Sequence, residues 1–260
     1  MPASLPLIAV EGVVRRFLTS SGVVDALGDV SLSVNEGEFC TIIGPSGCGK
    51  STLLGMLGGL VVPDAGRVLI GGTPVTGPDP RTVATVFQDP GLFPWRTVVE
   101  NIEFGLEVQG VDRQARRRTA TDLLGPLGLR DFAGKYPREL SGGMRQRVAI
   151  GRALAIDSPI VLMDEPFGAL DEQTRFLMGE WLLDVWTRAR KTVVFVTHSL
   201  QEALALSTRV VVMTARPGRI KSVIDLPLPY PRDLESPEIA SFRAKLWGEL
   251  REESLKTMNQ

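Results

Sequence analysis

Cysteine and histidine are nearly absent: two of one and a single copy of the other in 260 residues. Cys40 and Cys48 are too few for a disulfide framework, and with one histidine they lack the spacing of a metal centre. That usage fits a reducing cytoplasm. Long apolar runs are also missing. The longest, LLGMLGGLVV at 53–62, is glycine-rich and falls well short of the roughly 18 residues that span a bilayer. The N-terminus, MPASLPLIAVEGVVRRF, lacks a basic leader, an apolar stretch and a cleavage site in the order of an export signal. A chain of this kind serves a membrane only as a partner. Charge of one sign does not dominate either. The net charge is −1 and the pI about 6.0, which excludes an electrostatic case for nucleic acid as the main partner. The basic cluster RQARRR at 113–118 reads as a solvated helix face.

What is present is ordinary apolar content, 43%, enough for one large domain with a subdomain or tail. The opening stretches LIAVEGVV (7–14), VSLSV (30–34) and EFCTII (38–43) alternate or run apolar like strands. A glycine-rich turn and a helix over 50–57 follow. RVLIGG (67–72) and TVATVF (82–87) read as further strands. From about 90 to 157 the spacing is helical, with Thr97 a candidate N-cap, so this block reads as a helical insertion between two parts of one sheet. Afterwards strands at 160–164, 192–197 and 209–214 alternate with helices. In the helix over 171–186, Leu177, Met178, Trp181, Leu182 and Val185 are expected on one face. This is an α/β pattern with a parallel sheet and crossover helices. The main domain is expected over 1–235. After a proline-rich connector, Ser236 and Pro237 open a last helix over 236–260, which docks on the same domain through Ile239, Phe242, Leu246 and Leu250.

Three short stretches carry chemistry. GPSGCGKST at 44–52 fits G-x-x-x-x-G-K-[ST] between a strand and a helix. The backbone from Gly44 through Pro45, Ser46, Gly47, Cys48 and Gly49 can wrap phosphates. Lys50 adds a point charge, Ser51 a hydroxyl for Mg²⁺, and Thr52 extends the helix start. IVLMDEP at 160–166 buries a strand and carries Asp164 to its C-terminal end, as a Mg²⁺ ligand directly or through water. Glu165 follows where an attacking water needs a base. Third, LSGGMRQR at 140–147 places Ser141, Gly142 and Gly143 at a helix start. Glycine is costly there, and one capping residue would suffice for stability alone. The pair makes sense if a phosphate must approach that backbone closely. One chain thus has two phosphate-binding ends.

The P-loop, LSGGMRQR, LMDEP, GALD (168–171) and TH (197–198), in that order, resemble the ATP-binding subunit of ABC transporters over nearly the whole chain. The resemblance implies a P-loop NTPase of the ABC ATPase type. Its RecA-like parallel sheet core would carry an antiparallel β subdomain and an inserted α-helical subdomain. It implies ATP and Mg²⁺ as cofactors. It also implies a homodimer in which Ser141, Gly142 and Gly143 of one copy close over the ATP held by the other copy's P-loop, which explains the two ends. Gln88 in VFQD matches the Q-loop residue that touches Mg²⁺ or water and senses the γ-phosphate. His198 matches the switch histidine, and Asp171 in GALD the D-loop residue that meets the opposite subunit. Phe17 falls where the family stacks an aromatic on adenine. The family more often has Tyr there, and Ser where Gly168 stands.

No membrane segment is fused, as in importers built from separate subunits. DPGLFPWRTVVENIEFGLE after Gln88, and ARPGRI (215–220) before DLPLPYPRD, are similar to the nitrate/sulfonate/taurine importer family. That implies a peripheral subunit on the cytoplasmic face of the inner membrane. It would power uptake of a small anionic or polar solute through separate permease subunits, fed by an extracytoplasmic solute-binding protein. Leu92, Phe93 and Trp95 would receive the permease. The alternatives are another importer branch, or a non-transport ABC ATPase acting on a soluble assembly.

Overall fold

The structure is a computed structural model that describes residues 6–20 and 22–258. In chain order its elements are β1 (Ile8–Thr19), β2 (Gly22–Val34), β3 (Phe39–Ile43), α1 (Lys50–Leu57), β4 (Ala65–Ile70), β5 (Thr73–Pro74) and β6 (Val83–Val86). Then come α2 (Val98–Val108), α3 (Arg113–Leu124), α4 (Gly142–Ala155), β7 (Ile160–Asp164), α5 (Glu172–Ala189), β8 (Thr192–Val196), α6 (Leu200–Leu206), β9 (Arg209–Met213), β10 (Ile220–Asp225) and α7 (Pro237–Met258). They fall into two compact units. One joins the chain up to Asp79 with that from Arg190 onward; the other runs from Pro80 to Ala189.

The first unit contains two kinds of sheet. β2, β1, β4 and β5 lie side by side in an antiparallel sheet, with Ile8 opposite both Val34 and Ile70. β3 lies between β8 and β9, parallel to both, and β10 adds antiparallel to β9. β3 (FCTII) and β8 (TVVFV) are buried at every position, which is why they read as continuous apolar runs. β10 escapes sequence reading because IKSVID, an outer strand paired with β9, has no clean alternation. α7 starts where the sequence indicates: the Ser236 hydroxyl accepts the Ile239 N–H at 3.4 Å. Ile239 and Leu246 are buried with Ala203, Leu204, Val210 and Val212, and Phe242 and Leu250 pack against the same cluster. Each such fully buried aliphatic side chain contributes about 1.5–3 kcal/mol.

The second unit pairs β6 and β7 in parallel and adds α2 to α5. Thr97 caps α2 in a reciprocal capping box with Glu100. α3 begins at Arg113, at the basic cluster, because Asp112 caps it, accepting from the Gln114 and Ala115 N–H groups. The basic cluster on α3 is only partly solvated: Arg113 and Arg118 are exposed, but Arg117 pairs with buried Glu103 at 3.2 Å. On α5 the expected apolar face needs one correction. Met178 and Leu182 are buried and Trp181 and Val185 half-buried, but Leu177 is 63% exposed. The buried stripe runs 178, 181, 182, 185, and Leu177 is one helical position off it.

Candidate functional site

In the first unit the glycine loop leaves β3 and enters α1. Gly47 and Gly49 adopt left-handed backbone, with φ of 74° and 100°. At Gly49 a Cβ would lie 2.7 Å from Leu27 Cδ2 and 2.8 Å from the Ala26 carbonyl, so β2 abuts the loop directly. No side chain caps α1, and its first turn carries no acid. Its leading N–H groups therefore remain available to an anion. Lys50 is buried, and its ammonium donates to the Gly44 and Pro45 carbonyls at 2.9 Å each. The charge is thus fixed against the loop it serves. Ser51 is exposed at the helix start.

β8 runs parallel to β3, with Val196 opposite Ile42, so His198 and the glycine loop leave the same edge of neighbouring strands. His198 is exposed in a tethered turn. The Thr197 hydroxyl donates to Glu202, and the Ser199 N–H donates to the Thr197 hydroxyl at 3.0 Å. Phe17 lies on β1 opposite Val24, half-buried, with the Arg15 guanidinium 4.8 Å from its ring centroid.

The second unit repeats the arrangement with acids. Val86 is opposite Met163, so Gln88 and the pair Asp164–Glu165 emerge from one edge of β6 and β7. Gln88 is exposed, whereas Asp164 is buried at the end of β7. Glu165 has a φ of 44°, a left-handed conformation that costs a non-glycine residue about 1–3 kcal/mol when it persists at a functional site. The Gly168 N–H donates to the Glu165 carbonyl at 3.1 Å and closes the turn. A Cβ at Gly168 would come no nearer than 3.4 Å, so the turn itself does not demand glycine. Asp171 is exposed and caps α5. It accepts from the Thr174 N–H at 3.0 Å and the Thr174 hydroxyl at 2.7 Å, and these bonds hold its carboxyl below the usual range.

α4 starts at Gly142, within the SGG stretch that the sequence places at a helix start, with the Ser141 hydroxyl accepting from the Met144 N–H at 3.2 Å. Sequence reasoning missed two side chains here. Gln146, almost fully buried, donates to the Phe87 carbonyl at 3.2 Å, and Arg152 donates to the Pro90 and Gly91 carbonyls at 2.7 and 2.8 Å. Together they pin α4 to the segment around Gln88. The only sequence signal was a polar residue on the buried face of an amphipathic helix.

Downstream, Phe93, Trp95 and Phe104 cluster, with centroids 4.4 Å apart for Phe93–Phe104 and 5.6 Å for Phe93–Trp95. Buried Asn101 organises this turn by bonding to both the N–H and the carbonyl of Phe93. Trp95 is nonetheless 70% exposed.

The family model described as ABC transporter matches residues 27–168. The chain belongs to the ABC transporter family. An ABC transporter ATP-binding protein of Methanocaldococcus jannaschii is 48% identical over 251 residues, covering 96% of this chain and 94% of its own. The nitrate import ATP-binding protein of Synechocystis is 45% identical, with 89% and 86% covered. The taurine import ATP-binding protein of Rhizobium johnstonii is 46% identical, with 88% and 87% covered. Among solved structures, a dimeric post-hydrolysis state of an ATP-binding cassette bound to ADP and Pi superposes with a TM-score of 0.79 at 33% identity. It covers 85% of this chain and 100% of that one. The fold is therefore the P-loop fold of ABC ATPases, and this ABC protein is an ATPase that binds ATP. Among the described residues no helix is long and apolar enough to cross a membrane.

Proposed function

We propose that this ABC ATPase is the peripheral energy-supplying subunit of an importer for a small anionic or polar solute of the sulfonate, taurine or nitrate type. The observation that carries this reading is the exposed Trp95, set on a turn that Asn101 holds from within. A rigid aromatic projecting into solvent is the kind of anchor that a partner's helix uses. The names of the nitrate and taurine relatives support the branch.

In the catalytic cycle the loop amides and Lys50 bind the phosphates of ATP, and Phe17 offers the ring face away from Arg15 to adenine. Ser51 and Asp164 are hydroxyl and carboxylate oxygens, the hard donors Mg²⁺ takes. Bound there, the metal would offset negative charge on the phosphates. Glu165 accepts the proton of the attacking water, and Gln88 and His198 bond to the γ-phosphate end. Ser141, Gly142 and Gly143 of a second copy close the site with helix N–H groups, and Asp171 meets the opposite copy across that interface. Hydrolysis removes the group bridging the two copies. The homodimer then opens and drives permease subunits at the cytoplasmic face of the membrane. These receive solute from an extracytoplasmic binding protein.

The test is growth of a strain lacking the gene on taurine, an alkanesulfonate or nitrate as sole sulfur or nitrogen source. Loss of growth on one of these, restored by the intact gene but not by a Glu165→Gln copy, supports the assignment. Unimpaired growth on all three, with no multispanning permease co-purifying, refutes it.

A further inference from the structure

The phosphate loop is gripped from outside by the segment that contains ARPGRI, a stretch given no role at the nucleotide site above. Residues 214–219 join β9 to β10. Arg216 donates from Nε and Nη2 to the Gly47 carbonyl, at 3.2 and 3.1 Å. Gly218 packs so tightly under the loop that a Cβ there would lie 2.0 Å from the Cys48 carbonyl. Its N–H donates to the Ala26 carbonyl, and its own carbonyl accepts the Gly28 N–H, both at 3.0 Å, so the segment is stitched to β2 as well. A peptide is planar, so two bonds on the Gly47 oxygen fix the orientation of the Gly47–Cys48 unit in mid-loop. Both are charge-assisted, and so stronger than neutral ones.

The segment is in turn anchored to the C-terminal helix. The Ala215 N–H donates to Glu253 Oε2 at 2.9 Å. Glu253 is 1% exposed, and its other oxygen accepts from Lys256 at 2.7 Å and lies 3.2 Å from Lys221 Nζ. A buried carboxylate with donors on three sides is a fixed point, because releasing it would leave a buried charge. Arg216, by contrast, is exposed, and truncating it opens no cavity. Its only backbone acceptor among the hydrogen bonds described is the phosphate loop.

We propose that Arg216 is a positioning residue of the phosphate-binding loop, held in place through Ala215 by Glu253, so that nucleotide affinity depends on the docked C-terminal helix. This rests on the loop's being the ATP site. The full-length protein is titrated with a fluorescent ATP analogue and competing MgATP, and ATPase kinetics are measured alongside. Arg216→Ala should weaken ATP binding and raise KM about tenfold, the expected loss of charge-assisted bonds, with kcat within about threefold. Its nucleotide-free Tm should fall by no more than the few degrees that the lost bonds are worth, since the side chain is exposed. Arg216→Lys should restore part of the affinity through one remaining donor. Glu253→Gln should also weaken binding, and the double variant should lose less than the sum of the two, because they act in series. Affinity within twofold of wild type in Arg216→Ala overturns the proposal. Strict additivity overturns the link to α7. Lys50→Ala is the control: if it binds ATP normally, the site reading fails; if it alone loses binding, only this inference does.

Discussion

Gly143 packs closely against Leu170: a Cβ there would lie 3.0 Å from Leu170 Cδ2 and 3.2 Å from the Ala169 carbonyl, so Leu170 would have to shift by a few tenths of an ångström. Gly142, next to it, is different. Its nearest neighbour would be Arg145 Nη2 at 3.9 Å, and its φ is not left-handed. Packing thus accounts for one glycine of the pair and leaves the other without an intramolecular reason. Gly142→Ala should therefore leave Tm unchanged or slightly raised, since alanine favours helix, while cutting ATPase activity at least tenfold. Gly143→Ala should lose stability as well, by about 1–3 kcal/mol of overpacking. Thermal melts and phosphate-release assays of both variants check this. Full activity in Gly142→Ala would remove the case for a phosphate at that helix start.

Glu165 offers a second test. Its left-handed backbone is held by the Gly168 N–H, which bonds to the main chain and not to the carboxylate. Glu165→Gln should then keep the turn intact and bind ATP normally. Turnover should fall by about 10²–10⁴, the worth of a general base. The variant should also accumulate an ATP-bound dimer on size-exclusion chromatography. Robust turnover would rule out the base assignment.

The parts of the site differ in how far sequence reveals them. The glycine loop and LMDEP are local: a loop between strand and helix, and a buried run ending in an acid, define their own geometry. Gln146, Arg216 and Glu253 act through backbone carbonyls and amides 59, 169 and 38 residues away in sequence. Any residue type supplies such a carbonyl or amide, so no motif marks the partner. Leu177 was misplaced for a related reason. Helical spacing defines a stripe only to within one position, and the packing partner decides its edge.

The scarcity of cysteine has a chemical consequence. Cys40 is fully buried in β3, and burial pushes its thiol up to about 12. Cys48 is also buried, which raises its thiol despite the nearby Lys50. Thiolate is the reactive form, so neither should react quickly at neutral pH. With Ellman's reagent at pH 8, the native protein should show less than one fast-reacting thiol and the unfolded protein two. Rapid modification of a native thiol would contradict the burial of both.

α7 should confer an acid-sensitive share of stability. Burial alone would raise the Glu253 carboxyl, but bonds from Lys256, the Ala215 N–H and Lys221 outweigh it and leave it below the ordinary 4.5. Glu249 and Glu252 also face Lys221 and share its charge. A depressed carboxyl binds fewer protons folded than unfolded. Its contribution is therefore complete above about pH 4.5 and is lost as pH falls through the lower folded value. Denaturant melts between pH 7 and pH 3 should show stability falling across the acid end of that range. Glu253→Gln should be less stable at pH 7 and show a shallower acid fall, because it has no proton to take up. Parallel curves for the two proteins would place the acid sensitivity elsewhere in the chain.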